Sequence, residues 1–118
     1  MKTAILGASP KPDRYAFKAL LMLKESGHEV FPINPRYEEI EGVSCVSYLN
    51  ELSEIDTLTL YLSEHNLKPY VEDILQLNPR RVIFNPGTES NEIQSQLEEK
   101  GILCQEACTL VLLSTGQY

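Results

Sequence analysis

The stretch KTAILGASPKPDRYAFKALLMLKESGHEVFPINPR, residues 2–36, is the most informative part of this 118-residue chain. Its apolar run at residues 4–6 stops at Gly7, and apolar side chains then recur with helical spacing over residues 15–25. A second apolar run follows at residues 30–33. This succession predicts a strand, a glycine turn, a helix and a second, parallel strand. A βαβ unit that turns on a glycine after its first strand is typical of sites that hold nucleotides or similar anions.

Apolar runs and helical patterns continue to alternate through the rest of the chain. We predict strands over residues 2–6, 29–33, 57–62, 81–84 and 103–105, and helices over residues 15–25, 66–75, 90–100 and 107–113. Residues 36–54 are the least regular part and are expected to hold short turns or loops. Because strands separated by helices form parallel sheets with right-handed crossovers, the predicted fold is α/β. It is a Rossmann-like, doubly wound parallel sheet of five strands with helices on both faces.

The expected order of these five strands is 3-2-1-4-5, in a single domain over residues 1–118. The direction in which strands are added then reverses between the first and fourth strands. A crevice opens at that point, outside the carboxyl ends of the strands. The residues predicted to face it are Gly7, Ala8, Ser9, Asn34, Pro35, Arg36, Ser63, Asn85, Pro86 and Gly87.

The charge of the chain is unevenly distributed. The net charge is −7, yet residues 1–36 hold six basic and three acidic residues, which leaves the rest of the chain strongly acidic. An acidic protein is a poor general partner for nucleic acid or for an anionic membrane surface. Lys11, Arg14 and Arg36, close to the glycine turn and the second strand's end, suit a small ligand that carries phosphate.

The chemistry of the turns narrows the class of ligand. Gly7 either lets the backbone approach a ligand closely or only permits a tight turn. The backbone amides from Ala8 onward and the Ser9 hydroxyl can donate hydrogen bonds to phosphate oxygens. The G-x-G-x-x-G fingerprint of dinucleotide sites is absent, and the second strand ends on Asn34-Pro35-Arg36 instead of an acid. An arginine there favours a phosphorylated ribose. NAD is therefore disfavoured, coenzyme A fits, and NADP fits less well.

Three segments resemble, in order and spacing, the stand-alone CoA-binding domain family. They are GASP at residues 7–10, VFPINPR at residues 30–36 and EIEG at residues 39–42. That family is similar to the N-terminal domain of the succinyl-CoA synthetase α subunit, and the resemblance covers most of the chain. It implies a Rossmann-like fold that binds coenzyme A or an acyl-CoA in the crevice.

The resemblance also implies roles for individual positions. Ser9 and its neighbours would meet the phosphates, the second strand's end would line the adenosine-phosphate end, and the turn after the fourth strand would lie beside the pantetheine arm. The phosphate group of residues includes Pro10 and Tyr15 beside Ser9. The adenosine-phosphate end corresponds to Pro32, Asn34 and Arg36, and the pantetheine arm to Asn85, Pro86 and Gly87.

Two other functions stay open. The first is an NADP-type oxidoreductase domain, against which the missing glycines count. The second is a regulatory or interaction protein that keeps the fold without the ligand. The family often has Gln-x-Gly where this chain has Asn85-Pro86-Gly87, and that departure keeps the second alternative open.

No set of residues predicts catalysis or metal binding, so an enzyme is the less favoured interpretation. His28 is expected at the amino-terminal side of the sheet and His65 in a loop after the third strand, both on the surface. Cys104 and Cys108 have no further ligands at metal-site spacing and are expected to be reduced, buried residues. A mixed disulfide between Cys108 and bound coenzyme A is the alternative.

The chain is expected to be cytoplasmic. Its three cysteines have no disulfide-framework spacing, its start does not resemble a signal peptide, and no apolar run approaches the length of a membrane span. A protein partner or a homodimer is left open.

Overall fold

A computed structural model describes residues 1–118, which form an α/β fold around a five-stranded parallel sheet. In chain order the strands are β1 (Lys2–Leu6), β2 (Glu29–Ile33), β3 (Glu39–Ile40), β4 (Val43–Ser44), β5 (Thr57–Leu60), β6 (Arg81–Phe84) and β7 (Leu103–Glu106). The helices are α1 (Tyr15–Glu25), α2 (Glu64–Leu67), α3 (Val71–Leu77), α4 (Asn91–Glu99) and α5 (Thr109–Ser114). The predicted fold class is confirmed. No helix has the length and apolar character needed to cross a membrane.

The order of the strands is not the predicted one. The main sheet runs β2-β1-β5-β6-β7. Its third strand in chain order, β5, therefore lies between β1 and β6 and not on the outer side of β2. Pro32 gives the physical reason, because it has no N–H to donate and so favours an edge strand. Its carbonyl accepts a hydrogen bond from the Val46 amide at 2.8 Å, and the segment around Val46 occupies the position beside β2. The order therefore reverses between β1 and β5, and the crevice opens there.

Helices cover the two faces of the sheet in separate groups. On one face, α1 packs Phe17, Leu20 and Leu23 against Ile5, with α5 beside it. On the other face, α3 and α4 pack against a larger cluster that includes Phe84 of β6. All residues of β5 and β6 are buried, as expected for central strands covered on both faces. β6 is apolar at three consecutive positions, 82–84, whereas β5 alternates threonine with leucine.

Three local elements differ from the expectation. β5 ends at Leu60, two residues earlier than predicted. The helix predicted from Asn66 begins at Glu64, and a 3-10 turn at Lys68–Tyr70, which contains a proline, separates α2 from α3. Residues 39–44 form the β3–β4 hairpin, because Glu41 and Gly42 both adopt the positive φ that a tight hairpin turn requires.

Ser90 holds the start of α4 and connects it to α2. Its hydroxyl accepts a hydrogen bond from the Ile93 amide at 3.2 Å and donates to the Glu64 carboxylate. We expect Ser90→Ala to lower the free energy of unfolding by about 1 kcal/mol, the usual cost of a lost N-cap. Urea denaturation measures this loss. Ser95→Ala, an exposed change inside the same helix, is the control and should cost nothing, so equal losses in the two variants would contradict the capping role.

Candidate functional site

Two grooves flank the loop over residues 7–11 at the carboxyl ends of the strands. One has a volume of ≈ 470 Å³ and lies toward the end of β2; we name it the β2 groove. The other, of ≈ 420 Å³, lies toward the ends of β5 and β6 and is named the β6 groove. Gly7, Ser9 and Lys11 line both grooves, so the loop forms the ridge between them.

The grooves bring together most of the residues predicted for the site. The β2 groove is also lined by Ala8, Pro10, Asn34, Pro35 and Arg36. The β6 groove is also lined by Arg14, Tyr15, Ser63, Pro86 and Gly87.

Two predicted site residues line neither groove. Pro32 is buried within β2. Asn85 is 1% exposed, and its side-chain amide donates to the Thr59 hydroxyl at 2.6 Å and to the Leu60 carbonyl at 2.8 Å. Its side-chain oxygen accepts from the Thr109 amide at 2.8 Å. Asn85 therefore positions the Pro86-Gly87 turn and the start of α5, and its side chain faces neither groove.

Gly7 is required by the approach of β1 to β5. It has a φ of +93°, and a Cβ placed there would lie 3.0 Å from the backbone carbon and oxygen of Tyr61 and 3.1 Å from Leu62 Cδ2. The glycine thus permits both the turn and the close contact that brings the two halves of the crevice together.

Asn34 connects the two sides of the β2 groove. Its side-chain amide donates to the Ala8 carbonyl at 3.0 Å, and its side-chain oxygen accepts from the Arg36 amide at 2.8 Å. Because both polar atoms of the side chain are engaged, Asn34 holds the loop after β1 and fixes the backbone that carries Arg36.

Unpaired donors and cations surround the ridge. The backbone N–H groups of Ala8 and Ser9, and those of residues 15–17 in the first turn of α1, donate to no acceptor in the protein. The first turn of α1 also carries no acidic residue. Lys11, Arg14 and Arg36 are exposed and take no part in the ion pairs of the chain, which are Lys68–Glu92 and Arg80–Asp56. This arrangement attracts anions on a protein that is otherwise acidic.

Sequence reasoning missed several lining residues. Tyr61 and Leu62 line the β6 groove, and the expectation that the third strand extends to residue 62 placed them inside the sheet. Tyr37 and Tyr70 line the β2 groove, and the position of Tyr70 depends on the 3-10 turn between α2 and α3. Tyr37 could have been predicted as a lining residue, because it directly follows Arg36 in the sequence.

The hydroxyl of Tyr61 is buried beneath the β6 groove without a hydrogen-bond partner. Burial raises the pKa of Tyr61 to about 12, although the nearby Thr109 and Thr59 hydroxyls act to lower that pKa. Those two hydroxyls bond to each other at 2.8 Å. Tyr61 is therefore neutral at physiological pH, and it packs against the cluster of Ile5 and Phe17.

Removing this hydroxyl should be harmless to stability. We expect Tyr61→Phe to unfold at the same denaturant concentration as the wild type, or to be stabilised by up to about 1 kcal/mol, because an unpartnered buried polar group is lost. Chemical denaturation followed by circular dichroism measures this. A loss above about 1 kcal/mol would show that the hydroxyl makes a hydrogen bond in the folded protein.

The histidines and cysteines lie outside the grooves. His28 is at the amino-terminal side of the sheet as predicted, with Nδ1 at 3.3 Å from the Met1 amino group, and burial lowers its pKa. His65 is exposed, in α2 instead of a loop. Burial raises the pKa of Cys104 to about 11, which keeps the thiol protonated against the core. Cys108 lines neither groove, so the geometry gives no support to a mixed disulfide with a ligand there.

No cluster of three or more histidine, cysteine, aspartate or glutamate residues is arranged to hold a metal ion.

Comparison with known protein families assigns the chain to one of them. Residues 1–114 match the CoA binding domain family. This chain belongs to that family. Membership of the CoA-binding domain family agrees with the resemblance of residues 7–10, 30–36 and 39–42.

Relatives of this CoA-binding domain include proteins of similar length and a segment of a much longer enzyme subunit. A crystal structure of an uncharacterized protein is 43% identical, with a TM-score of 0.94 over 99% of this chain and 97% of that one. The uncharacterized protein YneT of Bacillus subtilis (strain 168) is 29% identical over 85% of this chain and 75% of its own. The α subunit of acetate–CoA ligase [ADP-forming] II of Pyrococcus furiosus is 26% identical over 85% of this chain but only 22% of its own length. Most of the ligase subunit's length therefore lies outside the part that matches this chain.

Proposed function

We propose that this domain binds coenzyme A or an acyl-CoA across both grooves, without catalysis of its own. The observation that carries the proposal is the meeting of the two grooves at one cationic, donor-rich ridge. The adenosine with its 3′-phosphate lies in the β2 groove near Arg36. The pyrophosphate crosses the ridge at Lys11, and the pantetheine arm follows the β6 groove beside Pro86 and Gly87.

The electrostatics of the ridge support this placement. A pyrophosphate at the ridge would accept hydrogen bonds from the free N–H groups of Ala8 and Ser9 and from the first turn of α1. Asn34 fixes the backbone of Arg36 at the opposite wall of the β2 groove, which limits the entropy lost when a phosphate is bound. The proposed positions of the pyrophosphate and of the 3′-phosphate thus each have a hydrogen-bond donor that is not engaged by an acceptor of the protein.

The end of β2 favours coenzyme A over the nicotinamide dinucleotides. Asn34-Pro35-Arg36 stands where an acid would bind the ribose hydroxyls of NAD, and Gly7 is the single glycine of its loop. NADP shares the phosphorylated ribose, but the β6 groove is lined by no histidine, cysteine or acidic side chain that would serve a redox reaction. The same absence from both grooves supports a binding function without catalysis.

Isothermal titration with coenzyme A, NADP and NAD at near-physiological salt tests the proposal. We expect micromolar binding of coenzyme A and no measurable binding of either dinucleotide. Tighter binding of NADP would favour the oxidoreductase alternative. Failure of all three ligands to bind would favour a regulatory or interaction protein that keeps the fold alone.

A further inference from the structure

Arg14 is a cation in the half of the crevice where coenzyme A itself carries no charge. It lines the β6 groove and not the β2 groove, whereas Lys11 lines both and Arg36 lines the β2 groove alone. If Arg36 meets the 3′-phosphate, and Lys11 together with the free N–H groups of Ala8, Ser9 and the first turn of α1 meets the pyrophosphate, each anionic group of coenzyme A has its donors. The pantetheine arm consists of neutral amides, a hydroxyl and a thiol, and it leaves Arg14 without a counter-charge.

The protein does not supply that counter-charge. No aspartate or glutamate lines the β6 groove. Asp13 precedes Arg14 in the chain without forming an ion pair, and the Glu89 carboxylate instead accepts from the Gly87 amide at 2.9 Å. The other polar side chains of the groove include the hydroxyls of Tyr15 and Ser63, both of which are exposed. The groove therefore offers hydrogen-bond donors and a fixed positive charge.

We infer that the β6 groove selects acyl-CoA molecules whose acyl group ends in a carboxylate, with Arg14 as the residue that binds it. This inference rests on the proposed function, since it requires the pantetheine arm to occupy the β6 groove. A guanidinium binds a carboxylate through two parallel hydrogen bonds, which gives both affinity and a fixed orientation. An uncharged acyl group of the same length makes neither of these two hydrogen bonds.

Matched pairs of acyl-CoA ligands test the inference by isothermal titration. The pairs are malonyl- and propionyl-CoA, succinyl- and butyryl-CoA, and glutaryl- and pentanoyl-CoA, with coenzyme A as the reference. We expect the carboxylated member of at least one pair to bind about tenfold more tightly than its uncharged partner. Arg14→Gln should remove this difference, so that the two members of the pair bind with equal affinity. Lys24→Gln, a cation change in the last turn of the same helix, should preserve the difference.

Two results would overturn the inference and leave coenzyme A binding intact. One is equal affinity within all three pairs for the wild-type protein. The other is an equal loss of affinity for every ligand in Arg14→Gln, which would place Arg14 on the pyrophosphate. Failure of the wild-type protein to bind coenzyme A itself would instead remove the proposed function on which the inference rests.

Discussion

Gly7→Val is expected to lower the free energy of unfolding by roughly 3–5 kcal/mol, because it combines two costs. The residue has a φ of +93°, which a β-branched side chain adopts only with strain. In addition, a Cβ would lie 3.0 Å from the Tyr61 backbone, where no flexible side chain can move away. The β1 and β5 ends would separate, and the ridge between the two grooves would shift. Chemical denaturation monitored by circular dichroism measures the loss.

Gly87→Val is the matched control for this prediction. Gly87 has a φ of +91°, but nothing lies within 4 Å of the position that a Cβ would occupy. This variant therefore reports the cost of backbone strain alone, about 1–3 kcal/mol. The difference between the two losses measures the contact with Tyr61. Equal losses would contradict the argument that Gly7 is required by the approach of β1 to β5.

Arg36→Ala is expected to weaken the binding of coenzyme A by roughly 1.5–3 kcal/mol, the usual contribution of a charge-assisted hydrogen bond. Arg36 is exposed, and its side chain takes no part in an ion pair within the protein. The change should therefore leave stability almost unaltered while it removes the proposed partner of the 3′-phosphate. Isothermal titration of both proteins at one salt concentration measures the difference.

Dephospho-CoA provides the control for Arg36. Because this ligand lacks the 3′-phosphate, wild type and Arg36→Ala should bind it with the same affinity. Lys100→Ala, which removes an exposed cation at the end of α4, should bind coenzyme A as the wild type does. An undiminished affinity of Arg36→Ala for coenzyme A would move the 3′-phosphate away from the β2 groove.

The strands and the class of fold were predictable because their signals are local. The apolar run at residues 4–6 ends at Gly7, the run at residues 30–33 follows Gly27, and β6 is apolar at three consecutive positions. The predicted order of the strands, 3-2-1-4-5, was wrong, because the order depends on the segment that occupies the edge of β2. Pro32 was the local signal for that edge, since a residue without an N–H is poorly placed between two strands.

The candidate site was predictable in position but not in the direction of every side chain. Turn residues after parallel strands meet at one edge of the sheet, and Lys11, Arg14 and Arg36 line the grooves there. Asn85 follows β6 in the same way, yet its side chain is buried against Thr59 and the Thr109 amide. That hydrogen bond joins residues 24 positions apart, and no local pattern in the sequence announces it.

The measurement that tests the central claim most directly is an amide NMR titration with coenzyme A and, separately, with adenosine 3′,5′-bisphosphate. Coenzyme A should shift the amides of both grooves, from Arg36 and Tyr37 on one side to Gly87 and Thr88 on the other. The bisphosphate, which lacks the pantetheine arm, should shift those of the ridge and the β2 groove only. Shifts confined to the amino-terminal side of the sheet, around His28 and Arg81, or no shifts at all, would contradict the account.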